Sequence, residues 1–240
     1  MYSMKIRSLR NSFAASIAFV WLIGSAKLDA EDYWRTFRGP DGSGVAESDH
    51  VIMELDQPSN LVWRTELPEA GWSSPITDGK LIWMTSAATH DVVSKPEGDA
   101  PAPGKAGGKR IVSGSATLIA YCLNAVTGEI VHRIELANLQ SPGTINVMNS
   151  YASPTGVWVD DRVVLHFGLY GTFCLDSASG ELNWRQTLTY DDSIGPGSSI
   201  KHADGVLIVP CDSMGDQFVA GLSLETGDVL WRTPRPPVEA

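Results

Sequence analysis

The sequence predicts an all-β protein, a β-propeller of four-stranded antiparallel blades with about three to four blades present. Three observations carry this. First, one segment recurs three times: Cys122-Leu-Asn-Ala-Val-Thr-Gly128-Glu-Ile-Val-His132-Arg, Cys174-Leu-Asp-Ser-Ala-Ser-Gly180-Glu-Leu-Asn-Trp184-Arg and Gly221-Leu-Ser-Leu-Glu-Thr-Gly227-Asp-Val-Leu-Trp231-Arg. The glycines are 52 and 47 residues apart. A fixed period of this size means one structural unit stacked on copies of itself. Second, each unit carries another marker, in which a Ser-rich start leads into a strand, a tight Asp-Gly or Asp-Asp turn and a second apolar strand. These markers run from Trp72, Ala152 and Gly197. Third, no helix-length amphipathic pattern follows residue 30.

Two hairpins per unit make a sheet of roughly 45 residues, the size of one propeller blade. Such a sheet has two apolar faces and buries them only by stacking. Trp63, Trp184 and Trp231 are placed to pack between blades, and His132 takes the same position in its copy. Recurrence at equivalent positions is what packing requires, whereas a cofactor-stacking ring would need one special copy. Gly128, Gly180 and Gly227 supply the positive φ that their turns demand.

In chain order, Lys5, Arg7 and Arg10 precede an uncharged apolar run, Phe13 to Gly24, with small residues after it. Residues 1–30 therefore read as a signal peptide cut near Ala26 or Ala30. A run of about 12 residues is short for a membrane span, which leaves an uncleaved anchor as the second reading. Residues 31–60 form an N-terminal arm, Trp34 to Gly44 mixing aromatics with glycines. Gly39, Gly42 and Gly44 open no helix and no Lys-Ser/Thr follows, so this is no phosphate loop; its aromatics are expected to anchor the arm. Residues 61–67 and 80–85 give the first expected strands of the 61–240 propeller region. Residues 86–116 hold Pro96, Pro101, Pro103, Gly104, Gly107 and Gly108 and read as a flexible insertion within a blade. Residues 137–151 read as a long inter-blade loop. After Trp231 the chain turns to proline where a further unit would begin, so the expectation is part of a larger ring whose open edge favours self-association.

The chain has 18 Lys and Arg against 28 Asp and Glu. Without residues 1–30, which carry four basic groups and one acid, 14 basic and 27 acidic residues remain, a net charge of −13. That argues against nucleic acid, which needs clustered Lys and Arg. Of three cysteines, Cys122 and Cys174 hold equivalent repeat positions and read as small core residues, while the odd count with Cys211 flags a free thiol. His50, His90, His132, His166 and His202 include no pair at metal-ligand spacing on one element. Asp191 and Asp192, adjacent on an extended chain, point apart. Asp212 to Asp216 has oxygen ligands and a glycine turn but lacks the spacing and closing Glu of a calcium loop. No nucleophile elbow or kinase signature is present, and no catalytic or metal residue is assigned. Any ligand is expected at loops on one rim of the axis, where Asn146, Asn149, Tyr151, Tyr170, Asp212 and Gln217 are the candidates.

The Leu-Asp-x-x-Ser/Thr-Gly-Glu-x-x-Trp unit resembles the pyrroloquinoline quinone (PQQ) repeat of the quinoprotein alcohol dehydrogenase-like propellers, over about residues 60–235. The start Trp34 to Gly44, with Asn149 to Pro154, Phe167 to Gly171 and Gln217 to Ala220, is similar to exported, planctomycete-type members. The resemblance implies a seven- or eight-bladed ring, here an incomplete one, and periplasmic or extracellular export. It does not transfer the enzyme activity. The dehydrogenases need a calcium-ligating acid–amide set, a catalytic aspartate and often a vicinal disulfide, and none can be placed here. The expected function is a non-catalytic scaffold or binding protein with a protein or small-ligand partner. The alternatives are a PQQ- and calcium-dependent dehydrogenase or a fragment of one, and a sensor propeller of the kind attached to protein kinases.

Overall fold

The computed structural model describes residues 33–46, 54, 57–94, 109–112, 114–146, 149–191, 195–213 and 215–236. The leader reading of residues 1–30 lies outside them, as do Asp192, Met214 and the insertion's 95–108. The strands are β1 (Ile76–Thr77), β2 (Leu81–Thr89), β3 (Val92–Ser94), β4 (Lys109–Val112), β5 (Ser115–Asn124), β6 (Ile130–Gln140), β7 (Gly143–Asn146), β8 (Val157–Val159), β9 (Arg162–His166), β10 (Thr172–Asp176), β11 (Leu182–Gln186), β12 (Lys201–Ala203), β13 (Val206–Cys211), β14 (Phe218–Ser223) and β15 (Val229–Pro234). They form three four-stranded antiparallel meanders: β1-β2-β5-β6, β8-β9-β10-β11 and β12-β13-β14-β15. These are three blades of an incomplete propeller, which we call blades 1, 2 and 3.

Every consensus position of the repeat has a physical task. The polar residue closes the turn between the third and fourth strands. Asn124 Oδ1 accepts from the N–H groups of Val126 and Thr127, Asp176 Oδ1 from those of Ala178 and Ser179, and Ser223 Oγ from that of Thr226. These bonds hold the Asp176 carboxyl below its usual range, the backbone bond from Ser179 contributing most. The Thr or Ser then bonds the acid's backbone N–H, as Thr127 does for Glu129 and Thr226 for Asp228. A bulge recurs at one place in each blade, between Cys122 and Leu123, Cys174 and Leu175, and Gly221 and Leu222. It sharpens the twist where the ribbon leaves the turn.

The aromatic ring is held between two small residues. On its own blade, His132 lies opposite Cys122, Trp184 opposite Cys174 and Trp231 opposite Gly221. On the next blade it meets the turn glycine. A Cβ on Gly227 would lie 2.5 Å from the Trp184 ring, and one on Gly128 2.5 Å from that of Trp63. Both glycines have φ above +70°. The ring N–H is satisfied across the same junction: Trp63 Nε1 donates to the Ala125 carbonyl at 3.0 Å and Trp184 Nε1 to Leu224 at 2.9 Å. His132 Nε2 makes the same bond to Ala178 at 2.8 Å, so it carries the proton. The paired arginine points to the other face. Arg185 lies over the Phe173 ring at 5.0 Å, Arg232 over Phe218 at 3.4 Å, and Arg133 bonds Tyr121 and Glu69.

One core fills the space between blades 1 and 2, with Trp83, Leu118, Trp158 and Phe173, and a second lies between blades 2 and 3, with Val164, Cys174, Leu207 and Phe218. The three thiols are free and buried. Burial pushes Cys122 and Cys211 up to about 12 and Cys174 up to about 11.

Three expectations need correction. Residues 61–67 form no strand, because they lie across the face of blade 1 and not along a strand edge, with Trp63 and Leu67 against Ile119, Tyr121 and Leu123. Residues 137–151 are not a plain loop, since β6 runs to Gln140 and β7 follows. The insertion is not wholly irregular either: β3, β4 and β7 pair as a small side sheet. Its strands are too short to show alternation in a Pro- and Gly-rich stretch.

Two outcomes are expected. Trp184→Ala should cost about 3 kcal/mol in chemical denaturation, at the lower end for a large aromatic since the site is half-buried. Trp231→Ala, at a ring 41% exposed, should cost under about 1 kcal/mol. The native protein at pH 8 should be inert to a disulfide-exchange reagent and release three thiols only on unfolding.

Candidate functional site

In an antiparallel meander successive connections lie at opposite ends. The loops joining second to third strands therefore share one end of each blade with the connectors entering its first strand. All six rim candidates fall on such segments, as the sequence reading requires. The structure divides them into two groups.

Four lie where blade 1 meets blade 2. Tyr151 is fully buried and its hydroxyl donates to the Gly143 carbonyl at 2.9 Å; Tyr170 is nearly so and donates to Pro142 at 2.7 Å. Their rings meet edge to face, 5.4 Å apart. Both tyrosines thus hold the turn into β7. Asn149 Oδ1 accepts from Ser150 N–H and from the Ser153 hydroxyl, stapling the connector into β8. Asn146 ends β7 opposite Lys109. The other two lie on blade 3. Asp212 pairs with Arg235 and accepts from Ser198 Oγ at 3.4 Å. Gln217 takes the Arg235 N–H on its carbonyl. With Asp216, Phe218 and Arg232 it borders an open cavity of about 410 Å³.

The serine-rich starts do something the sequence did not reveal. Ser74 N–H donates to Thr155 Oγ1 at 2.9 Å, and Thr155 N–H donates to Ser199 Oγ at 3.0 Å. Equivalent positions of three successive blades are thus joined by one repeated bond around the axis.

His166, at the rim end of β9, is fully buried, with Nδ1 2.9 Å from Thr172 Oγ1. Burial lowers its pKa from 6.5 to about 4. The native state therefore binds fewer protons than the unfolded chain between those values, so stability is complete above about pH 6.5 and is lost as pH falls toward 4. Glu69 joins the 61–70 segment to blade 1 through Tyr121 and Arg133. Burial opposes its ionisation, but those hydrogen bonds outweigh burial and hold its pKa below the usual value.

Among the described residues, no group of three or more His, Cys, Asp and Glu is placed to hold a metal ion, and no helix is long and apolar enough to cross a membrane. Asp212 is turned to Arg235, and the two tyrosine hydroxyls are given to main-chain carbonyls.

A recurring docked ring, a glycine turn and four-stranded blades define a PQQ-repeat propeller. The chain belongs to the family described as outer membrane protein assembly factor BamB, which it matches over residues 48–234. Among solved structures it is similar to BamB from Moraxella catarrhalis, at 20% identity and a TM-score of 0.37, over 53% of this chain and 34% of that one. It is also similar to the quinohemoprotein alcohol dehydrogenase ADHIIG from Pseudomonas putida HK5, at 14% identity and 0.38, over 66% and 23%. A third is a europium-containing methanol dehydrogenase, at 11% identity and 0.39, over 55% and 25%. The chain spans about a third or less of the length of these structures. No curated protein matches it.

His166→Gln should flatten the acid limb of the stability curve, removing a fall on the order of 3 kcal/mol between pH 6.5 and 4. Denaturation at pH 7.5, 6, 5 and 4.5 checks it; an unchanged limb would assign the acid sensitivity elsewhere.

Proposed function

We propose that this is an exported, non-catalytic propeller scaffold, which acts by docking a partner against its sheet face and rim. The observation that carries this is the outward face of blade 3, which no described residue covers. On β13, Leu207, Val209 and Cys211 are buried against blade 2, while Val206, Ile208 and Pro210 alternate with them on the other face and remain half-exposed. Trp231 stands on that same face, 41% exposed, and Val229 and Leu230 beside it are 47% and 55% exposed. The equivalent face of blade 2 is covered by blade 3, with Trp184 seated on Gly227. The partner that fits is another sheet of this repeat, offering a glycine turn to Trp231. A second copy of this chain fits poorly, because Trp63 already occupies the Gly128 slot. Sedimentation velocity should accordingly show no discrete two-copy ring.

The second reading is a quinone-dependent dehydrogenase, which family membership motivates. Titration of the purified protein with PQQ and calcium separates the two. The scaffold reading expects no bound-quinone absorbance and no dye-linked alcohol oxidation. A saturable quinone spectrum with turnover would replace it by the dehydrogenase.

A further inference from the structure

The first strand of each blade is hydrogen-bonded on one edge only, to the second strand. The other edge faces the axis, and an open strand edge attracts another chain unless it is covered. Here the N-terminal arm covers it. Thr77 N–H donates to the Trp34 carbonyl at 2.9 Å, and Trp158 N–H donates to the Arg35 carbonyl at 2.8 Å. Thr77 and Trp158 hold the same place in blades 1 and 2, three residues beyond the bonded pair Ser74 and Thr155. The arm is bent here, with Arg35 N–H donating to the Tyr33 carbonyl at 2.8 Å, and the bend gives the Trp34 and Arg35 carbonyls to two different strand edges. Two residues later blade 3 takes its turn. Lys201 Nζ donates to Thr36 Oγ1 at 3.2 Å and to the Phe37 carbonyl at 2.7 Å. Residues 34–37 therefore address three blades in chain order.

The side chains make this a shaped seat. Trp34 borders an open cavity of about 340 Å³ together with Ser74, Pro75, Thr77 and Ile82. Gly39 lies under that ring, where a Cβ would come within 2.9 Å. Arg35 Nε is buried without a hydrogen-bond partner among the described residues, so the hold comes from the arm's main chain, the Trp34 ring and Thr36 Oγ1.

The geometry points to a peptide-binding groove along the axis: the inner edges of β1 and β8, with Lys201 of β12, accept a bent segment, and Trp34–Phe37 is the ligand held in cis. Recognition is by strand-edge hydrogen bonds with one aromatic anchor. The occupant class is thus a peptide with a tight bend at a large aromatic, two consecutive carbonyls turned outward and a hydroxyl two residues beyond the aromatic. When the arm leaves, the same groove is open to such a peptide from another chain. This stands apart from the scaffold reading, since it concerns the axis and not the face of blade 3.

Amide exchange on the full-length protein, with a fluorescent synthetic peptide of residues 33–44, tests it. In the wild-type protein the Thr77 and Trp158 amides should be protected at least 100-fold, and the peptide should not bind. In Trp34→Ala both protections should fall together at least tenfold while those inside β9 and β10 hold. Peptide added in trans should bind and restore them, and a peptide with alanine in place of its tryptophan should bind at least tenfold more weakly. Should Trp34→Ala fail to fold, Lys201→Met releases residues 36 and 37 alone and should admit the peptide several-fold more readily than wild type. Unprotected Thr77 and Trp158 amides in the wild-type protein overturn the groove. So does a peptide that neither binds nor restores protection in a folded variant.

Discussion

The structure depends on an aromatic ring clamped between two residues that have almost no side chain. Cys or Gly lies beneath the ring on its own blade and the turn glycine lies above it on the next. This fixes the distance between sheets, and the ring N–H bond to the turn carbonyl fixes their rotation. A stacked core alone would fix neither, because apolar contacts between two sheet faces are not directional. One ring per junction thus turns a pile of sheets into a fan of set pitch. His132 shows what the clamp needs: an imidazole is smaller than an indole, yet it keeps the one feature required, an N–H aimed at the Ala178 carbonyl.

Two further sets of bonds act nearer the axis, where the clamp does not reach. The hydroxyls of Thr155 and Ser199, accepting from the Ser74 and Thr155 N–H groups, tie the starts of the first strands, and the arm's carbonyls tie their inner edges. The three devices sit at different radii and resist different motions. Rings hold the periphery against sliding, hydroxyls hold the connectors in register, and the arm closes edges that would otherwise invite foreign strands.

What the sequence makes legible is whatever repeats. The spacing of Gly128, Gly180 and Gly227 gives the blades, and the residue types around them give the turns, because a local motif needs the same atoms each time. What it hides is non-periodic and distant in sequence. Tyr151 and Tyr170 look like rim ligands because they are polar aromatics in connectors, but each hydroxyl is committed to a carbonyl, 8 and 28 residues away. The arm's main-chain carbonyls at Trp34, Arg35 and Phe37 accept from Thr77, Trp158 and Lys201 across as many as 164 residues, and every residue has such a group, so no motif can mark it. The side sheet escapes for another reason: β3 and β4 are only three and four residues long, too short to show a period of two.

The two ends of the fan differ in kind. The face of blade 1 that looks away from blade 2 is covered by a single segment, with Trp63 in the glycine slot and Glu69 fastened by Tyr121 and Arg133. On the outward face of blade 3 the ring is in place, and no described residue seats it. A cover made of a single segment hides apolar surface without presenting a sheet edge. At the other end the same repeat offers a complete fourth strand and an unseated indole. The two ends of the described fan therefore differ in what they accept: a sheet packed on blade 3 would seat Trp231 with its own turn glycine, whereas Trp63 already fills that slot at blade 1.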